Sequence, residues 1–90
     1  MLTPISIHAD LEAGAYEITY RRLPRGKFID HDERIAPSVT AGIGPSGQVI
    51  GIELLDLEIP TLMAAREYAA AHGLGFPQNL PGVLVPSSAR

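Results

Sequence analysis

The chain has 90 residues, of which 46% are hydrophobic and 19% are charged, and its formal net charge is −3. These values are typical of one small globular domain and exclude the disordered and fibrous classes. The absence of cysteine excludes a disulfide framework, a thiolate metal site and a cysteine nucleophile. No window approaches the ~20 apolar residues of a membrane span, so we expect a cytoplasmic protein with no membrane partner.

The first predicted elements are two strands. Residues 5–8 alternate between apolar and polar side chains, and residues 15–22 place Tyr16, Ile18 and Tyr20 on one face. This period of two is typical of half-buried strands in an antiparallel sheet. The residues between the two runs favour a turn, so the sequence predicts a hairpin.

A second hairpin is predicted further along the chain. Residues 38–43 and 48–55 alternate in the same way, with Ile50, Ile52 and Leu54 on one face of the second run. The stretch Gly-Pro-Ser-Gly at 44–47 between them is typical of a turn. Residues 23–36 are polar without a sustained period, which predicts a long loop.

The C-terminal part begins with an alanine-rich segment that predicts a helix over 60–72. Pro60 suits a first helical turn and Gly73 suits a C-terminal cap. Residues 74–90 are rich in proline and predict an extended or partly ordered tail. The predicted fold is therefore α+β: an antiparallel four-stranded meander with one helix on one face, a single domain over 1–73 and a tail over 74–90.

Glu53 is the carboxylate that interrupts the most apolar predicted strand. Strand alternation places it opposite to Ile52 and Leu54, on the face that a single helix leaves uncovered. Arg21 or Thr40 is the expected cross-strand neighbour. Two interpretations follow: a solvent-facing strand residue, or an interaction surface formed by four residues, Glu53, Leu55, Gly51 and Arg21. No second group marks a catalytic centre, and no motif indicates a cofactor.

The densest polar cluster is Asp30-His31-Asp32-Glu33. Imidazole and carboxylate groups suit zinc or manganese, so His31, Asp32 and Glu33 are candidate ligands. Consecutive residues rarely converge on one ion, and no His-x-x-x-His spacing is present. A solvated loop is the competing interpretation.

A basic segment, residues 21–27, holds four of the seven lysines and arginines. It suggests an anion or nucleic-acid contact. The acidic cluster follows within a few residues, however, and reduces the positive field over about one Debye length, ~8–10 Å. Together with the net negative charge, this makes nucleic acid an unfavourable partner.

One stretch of the chain resembles a known family. Residues 15–18, Ala-Tyr-Glu-Ile, and the run Gly47-Gln-Val-Ile-Gly-Ile-Glu-Leu-Leu-Asp56 are similar to motifs of the small prokaryotic proteins of domain-of-unknown-function (DUF) family 2283. The resemblance spans about residues 5–57. Acidic residues that the family usually carries before its turn glycine are replaced here by Gly42, Ile43 and Gly44. The resemblance implies a small β-rich protein, often encoded beside a small toxin-like protein.

Two functions remain open from the sequence. The first is a non-enzymatic protein-interaction module, antitoxin-like, that binds a small basic protein and forms a homodimer or larger oligomer. The second is a small-ligand or divalent-metal-binding protein that uses the cluster Asp30–Glu33. We expect the first, because a small sheet with an uncovered face and free edges favours association.

Overall fold

The computed structural model describes residues 1–80 together with Val83 and Leu84. It confirms an α+β fold built from an antiparallel five-stranded sheet and one helix. The elements are β1 (Ser6–Asp10), β2 (Ala15–Thr19), β3 (His31–Ala36), β4 (Val39–Ile43), β5 (Val49–Leu54), α1 (Ile59–Ala71), β6 (Asn79–Leu80) and β7 (Val83–Leu84). The last two strands form a separate two-stranded sheet.

The strand order corrects the predicted four-stranded meander. The order is β1-β2-β5-β4-β3, so the two hairpins lie side by side through β2 and β5 rather than in chain sequence. After β2, the chain crosses to the opposite edge of the sheet before it enters β3. This crossing segment is residues 20–30, and the backbone N–H of Asp30 donates to the carbonyl of Ile43 at 2.7 Å.

The strand β3 was predicted as part of a loop, and this prediction is wrong. Its first four residues are all exposed, because β3 is an edge strand that, among the described residues, pairs with β4 alone. An edge strand that buries almost no side chains has no alternation of apolar and polar residues, which is the signal that predicts a strand. Tertiary pairing alone makes it a strand.

The core lies between α1 and one face of the sheet. It contains the apolar residues that alternate along β2, β4 and β5, and they pack against one side of the helix. This set includes Ile18, Val39, Ala41, Ile52 and Leu54, all fully buried. The predicted alternation of these strands is therefore confirmed.

A β-bulge changes the alternation at the start of β5. Gly42 pairs with Gly51, but Ile43 pairs with Val49, so Ile50 is an extra residue in β5. Val49 belongs to the core cluster and Ile50 does not. The expectation that Ile50 shares the core face with Ile52 and Leu54 is wrong for this reason.

The helix follows the sequence prediction closely. Pro60 lies in its first turn, and Gly73 ends it with a φ of 69°. The N–H of Leu74 donates to the carbonyl of Ala69 at 2.8 Å, and that of Gly73 to Ala70 at 3.2 Å. These two bonds form a Schellman motif, which needs a residue such as glycine in the left-handed region.

The chain after the helix contributes to the core up to at least Leu80. Leu74 and Leu80 are buried in the core cluster, and Phe76 packs against it. The hydroxyl of Tyr20 donates to the carbonyl of Gly75 at 3.0 Å and joins this segment to the end of β2. The rest of the predicted tail, residues 81–82 and 85–90, lies outside the described residues.

Candidate functional site: the open face of the sheet

The face of the five-stranded sheet opposite α1, here called the open face, presents two rows of side chains. Each row runs across all five strands, because cross-strand partners share a face. The charged row consists of His8, Glu17, Glu53, Thr40 and Arg34. The small row consists of Ser6, Thr19, Gly51, Gly42 and Asp32.

Two carboxylates stand next to each other in the charged row. Glu17 and Glu53 are directly opposite one another on β2 and β5, and both are exposed. Within residues 1–80, neither carboxylate makes an ion pair. Like charges in directly opposed positions destabilise a sheet. Among the described residues, no cationic side chain forms an ion pair that would relieve this repulsion on the open face.

The small row forms a trough beside these carboxylates. Its two glycines differ in what a side chain at each position would meet. A Cβ on Gly51 would lie 2.8 Å from the backbone oxygen of Ile18, so the close approach of β2 and β5 requires glycine there. A Cβ on Gly42 would meet the Cδ1 of Ile29 at 3.2 Å. That atom is the end of a flexible side chain, which places Ile29 over Gly42 on the open face.

The crossing segment turns this trough into a groove of about 770 Å³. Arg21, Arg22, Leu23 and Ile29 of the segment line it together with the floor and the two glutamates. Arg21 is held in place, because its Nη1 donates to the carbonyl of Val49 at 2.8 Å. The groove thus has arginines contributed by the crossing segment, acidic side chains on its floor, and apolar side chains between them.

The structure brings three of the four predicted interaction residues together. Glu53, Gly51 and Arg21 all line the groove. Leu55, the residue after β5, does not line the groove, although it is 46% exposed.

The prediction that Arg21 or Thr40 is the cross-strand neighbour of Glu53 is confirmed for Thr40. Thr40 lies opposite Glu53 on β4, as predicted, but the neighbour on the other side is Glu17 and not Arg21. Alternation along β2 places Glu17 on the face opposite Ile18. It does not predict the contact, because that depends on the pairing of β2 with β5. The residues of a strand do not indicate which other strand lies beside it in the sheet.

The predicted metal ligands are divided between the two faces of β3. His31 and Glu33 share one face, with 3.4 Å between Nε2 and the carboxylate oxygen of Glu33. Asp32 pairs with Gly42 and lines the groove on the opposite face. In the described residues, no three histidine, aspartate or glutamate side chains are arranged to hold a metal ion.

His31 instead forms an exposed hydrogen-bonded cluster with its neighbours. Its Nδ1 lies 2.8 Å from a carboxylate oxygen of Asp30. The hydrogen bond with Asp30, followed by the one with Glu33, raises the pKa of His31 above its ordinary value. Both carboxylates favour the charged imidazolium, so this cluster is a surface ion pair at the edge of the sheet.

The comparisons do not extend this picture. No protein-family model, no curated protein and no solved structure matches the chain. Among the described residues, no helix is long and apolar enough to cross a membrane.

Proposed function

We propose that this protein is a small cytoplasmic, non-enzymatic interaction module, whose open face binds a basic segment of a partner protein. The observation that carries the proposal is the adjacent pair Glu17 and Glu53 on a sheet face that α1 leaves uncovered. A cationic side chain placed between two carboxylates would remove their repulsion and gain attraction to both. Partner binding would then be stabilised by relieving the repulsion between the two carboxylates.

The surroundings of the pair support a protein partner. Leu23, Ile29 and Ile50 provide apolar surface along the groove, and Ile29 is 41% exposed. Protein interfaces combine such apolar area with a few charged groups that set orientation. Arg21 and Arg22 of the crossing segment would orient a partner by repelling its basic residues towards the glutamates.

The charged row contains a histidine beside a carboxylate, the two groups that acid–base chemistry commonly uses. General acid–base chemistry requires a positioned group within hydrogen-bond reach of the reacting proton. His8 is next to Glu17 in the row, but no hydrogen bond joins their side chains in the described structure. Residues 5–57 resemble DUF family 2283, whose members are often encoded beside toxin-like proteins. This resemblance supports an antitoxin-like role for the module.

The test is a tagged pull-down from the native cell at physiological salt, read by mass spectrometry. The bait proteins are the wild type, Glu53→Gln and the control Glu67→Gln, which removes the same charge from an exposed position of α1. We expect wild type and control to retain the same small basic protein. The Glu53→Gln variant should retain it at least about tenfold less, which corresponds to 1.4 kcal/mol.

Two outcomes would contradict the proposal. One is a partner that all three bait proteins retain equally, because binding would then not use the pair. The other is an eluate in which no basic protein accompanies the bait at all.

A further inference from the structure

The two edges of the five-stranded sheet differ in how they are protected against pairing. The edges are β1 and β3. Natural sheets protect exposed edges with charged side chains, proline or a β-bulge, since free backbone N–H and C=O groups otherwise recruit another strand. A difference between the two edges in these features therefore indicates which edge is protected against pairing and which edge can pair with another strand.

The edge at β3 is protected twice. Its residues 31–34 are His-Asp-Glu-Arg, four consecutive ionisable side chains, and all four are exposed. The pairing of β3 with β4 also has a register shift between Arg34 and Ala36. A further strand added here would meet charges of both signs on both faces and an interrupted ladder.

The edge at β1 is protected less: it has two ionisable residues, His8 and Asp10, that are not consecutive, and its pairing has no register shift. Its sequence is Ser-Ile-His-Ala-Asp, and it pairs with β2 in unbroken register over all five residues. Its acidic residue is the last one, and that carboxylate accepts a hydrogen bond from the N–H of Ala13 in the following turn at 3.1 Å. In the part of the chain that the structure describes, β1 pairs with β2 alone.

Apolar side chains flank this less protected strand. Ile5, immediately before β1, is 45% exposed, and Leu11, immediately after it, is 75% exposed. Ile7 within the strand is half-buried against the core. Within the described residues, the edge therefore offers unpaired backbone groups between two exposed apolar residues, which is the pattern of an edge that associates.

We propose that β1 of one copy pairs antiparallel with β1 of a second copy, so that two five-stranded sheets join into one continuous sheet. The sequence of β1 is complementary to itself in the register that opposes His8 to His8 of the second copy. Ile7 then lies opposite Ala9 of the second copy on the helix side, and Ser6 lies opposite Asp10 of the second copy on the open face. The first pair is apolar, and in the second a hydroxyl can donate to a carboxylate.

The two-fold symmetry of the dimer limits the number of other registers that are possible. A two-fold axis perpendicular to the sheet keeps both helices on one side, and it then pairs only residues that face the same way. Centring the pairing on Ile7 or on Ala9 is the alternative, and each shortens the overlap. The register centred on His8 uses the whole of β1 and sets Ile5 of one copy beside Leu11 of the other at both ends.

This dimer goes beyond the proposed function, although Ile5 and Ser6 at its edge also line the groove of the open face. It uses the edge of the sheet, whereas the proposed partner site uses the open face around Glu53. The open faces of the two copies would remain uncovered and become continuous. Loss of partner binding in the Glu53→Gln variant should therefore leave the dimer intact.

Single-cysteine cross-linking tests the register, because the natural chain has no cysteine. Directly opposed Cα atoms are about 4.5–5.5 Å apart in antiparallel pairs, within the roughly 4.4–6.8 Å that a disulfide spans. The variants are Ile7→Cys, His8→Cys and Ala9→Cys, with Glu33→Cys at the other edge as the control. Position 8 and position 33 are both exposed, so these two variants preserve the core.

We expect the wild type to sediment as a dimer, and His8→Cys to form a disulfide-linked dimer fastest under mild oxidation. The rate should exceed that of Glu33→Cys at least about tenfold. Faster cross-linking at position 7 or 9 would overturn the register, and equal or faster cross-linking at position 33 would overturn the edge. A wild-type protein that sediments as a monomer at millimolar concentration would overturn the dimer itself.

Discussion

The repulsion between Glu17 and Glu53 is open to a direct thermodynamic test. Replacing either residue by glutamine keeps the shape of the side chain and removes one charge of the pair. Because the two residues are directly opposed on β2 and β5, each single variant should be more stable than the wild type. The double variant should gain no more than one single variant does, since the repulsion disappears with the first charge.

The magnitude follows from the strand geometry. Cβ atoms of directly opposed residues are about 4.5–5.5 Å apart, and the carboxylates can splay to about 6 Å. Coulomb's law in water gives about 0.7 kcal/mol at that separation. Screening at physiological ionic strength reduces it to about 0.3 kcal/mol. For a domain of this size, the range of 0.3–0.7 kcal/mol corresponds to a rise in Tm of about 1–6 °C.

Urea unfolding of the four proteins in a double-mutant cycle measures the coupling. The control is Glu67→Gln, which changes the net charge equally at an exposed helix position, where no acidic residue lies three or four positions away. The coupling should decrease towards zero in about 1 M salt, where the Debye length is about 3 Å. A favourable coupling, a zero coupling at low salt, or an equal gain in the Glu67→Gln control would refute the reasoning.

Two further predictions concern stability. Gly51→Ala should lower the free energy of unfolding in urea by about 1–3 kcal/mol, because its Cβ would lie 2.8 Å from a backbone oxygen. Gly42→Ala, directly opposite, should lower it clearly less, because its Cβ would meet a flexible side chain. Equal losses of stability would contradict the close-approach argument. Tyr20→Phe should cost about 0.5–1.5 kcal/mol, because the hydrogen bond to the Gly75 carbonyl is lost, while Tyr16→Phe, with no hydrogen bond from its hydroxyl among the described residues, serves as the control. Burial raises the pKa of Tyr20 from 10.0 to about 12, so its contribution to stability is complete below pH 10 and is lost as the pH rises towards 12. Alkaline unfolding should be less steep over this interval in Tyr20→Phe, and an unchanged pH profile would show that Tyr20 does not couple to folding.

The stability tests and the partner test are linked through Glu53. If the pair is kept for binding, the variant that binds the partner less should be the more stable protein. Natural proteins commonly show this trade-off where a site keeps an unfavourable arrangement for its function. A surface glutamate without such a role should lose neither stability nor binding when its charge is removed.

The sequence by itself determined the local structure where a strand has one buried face, or where a residue has a strong backbone preference. The alternation around Ile18 and Ile52 indicated strands, because one side of each strand lies in the core. Pro60 and Gly73 marked the helix ends, because each has a backbone preference suited to that place. The position of Glu53 on the uncovered face followed from the same alternation.

Only the tertiary structure decided which strands are neighbours, and therefore what the open face contains. The strand β3 buries almost nothing, so its residues carry no periodic signal, and its pairing with β4 creates the fifth strand. The adjacency of β2 and β5 brings Glu17 beside Glu53. Alternation along a strand fixes the face of a residue but not its cross-strand neighbour, because pairing depends on contacts between segments that are distant in the chain.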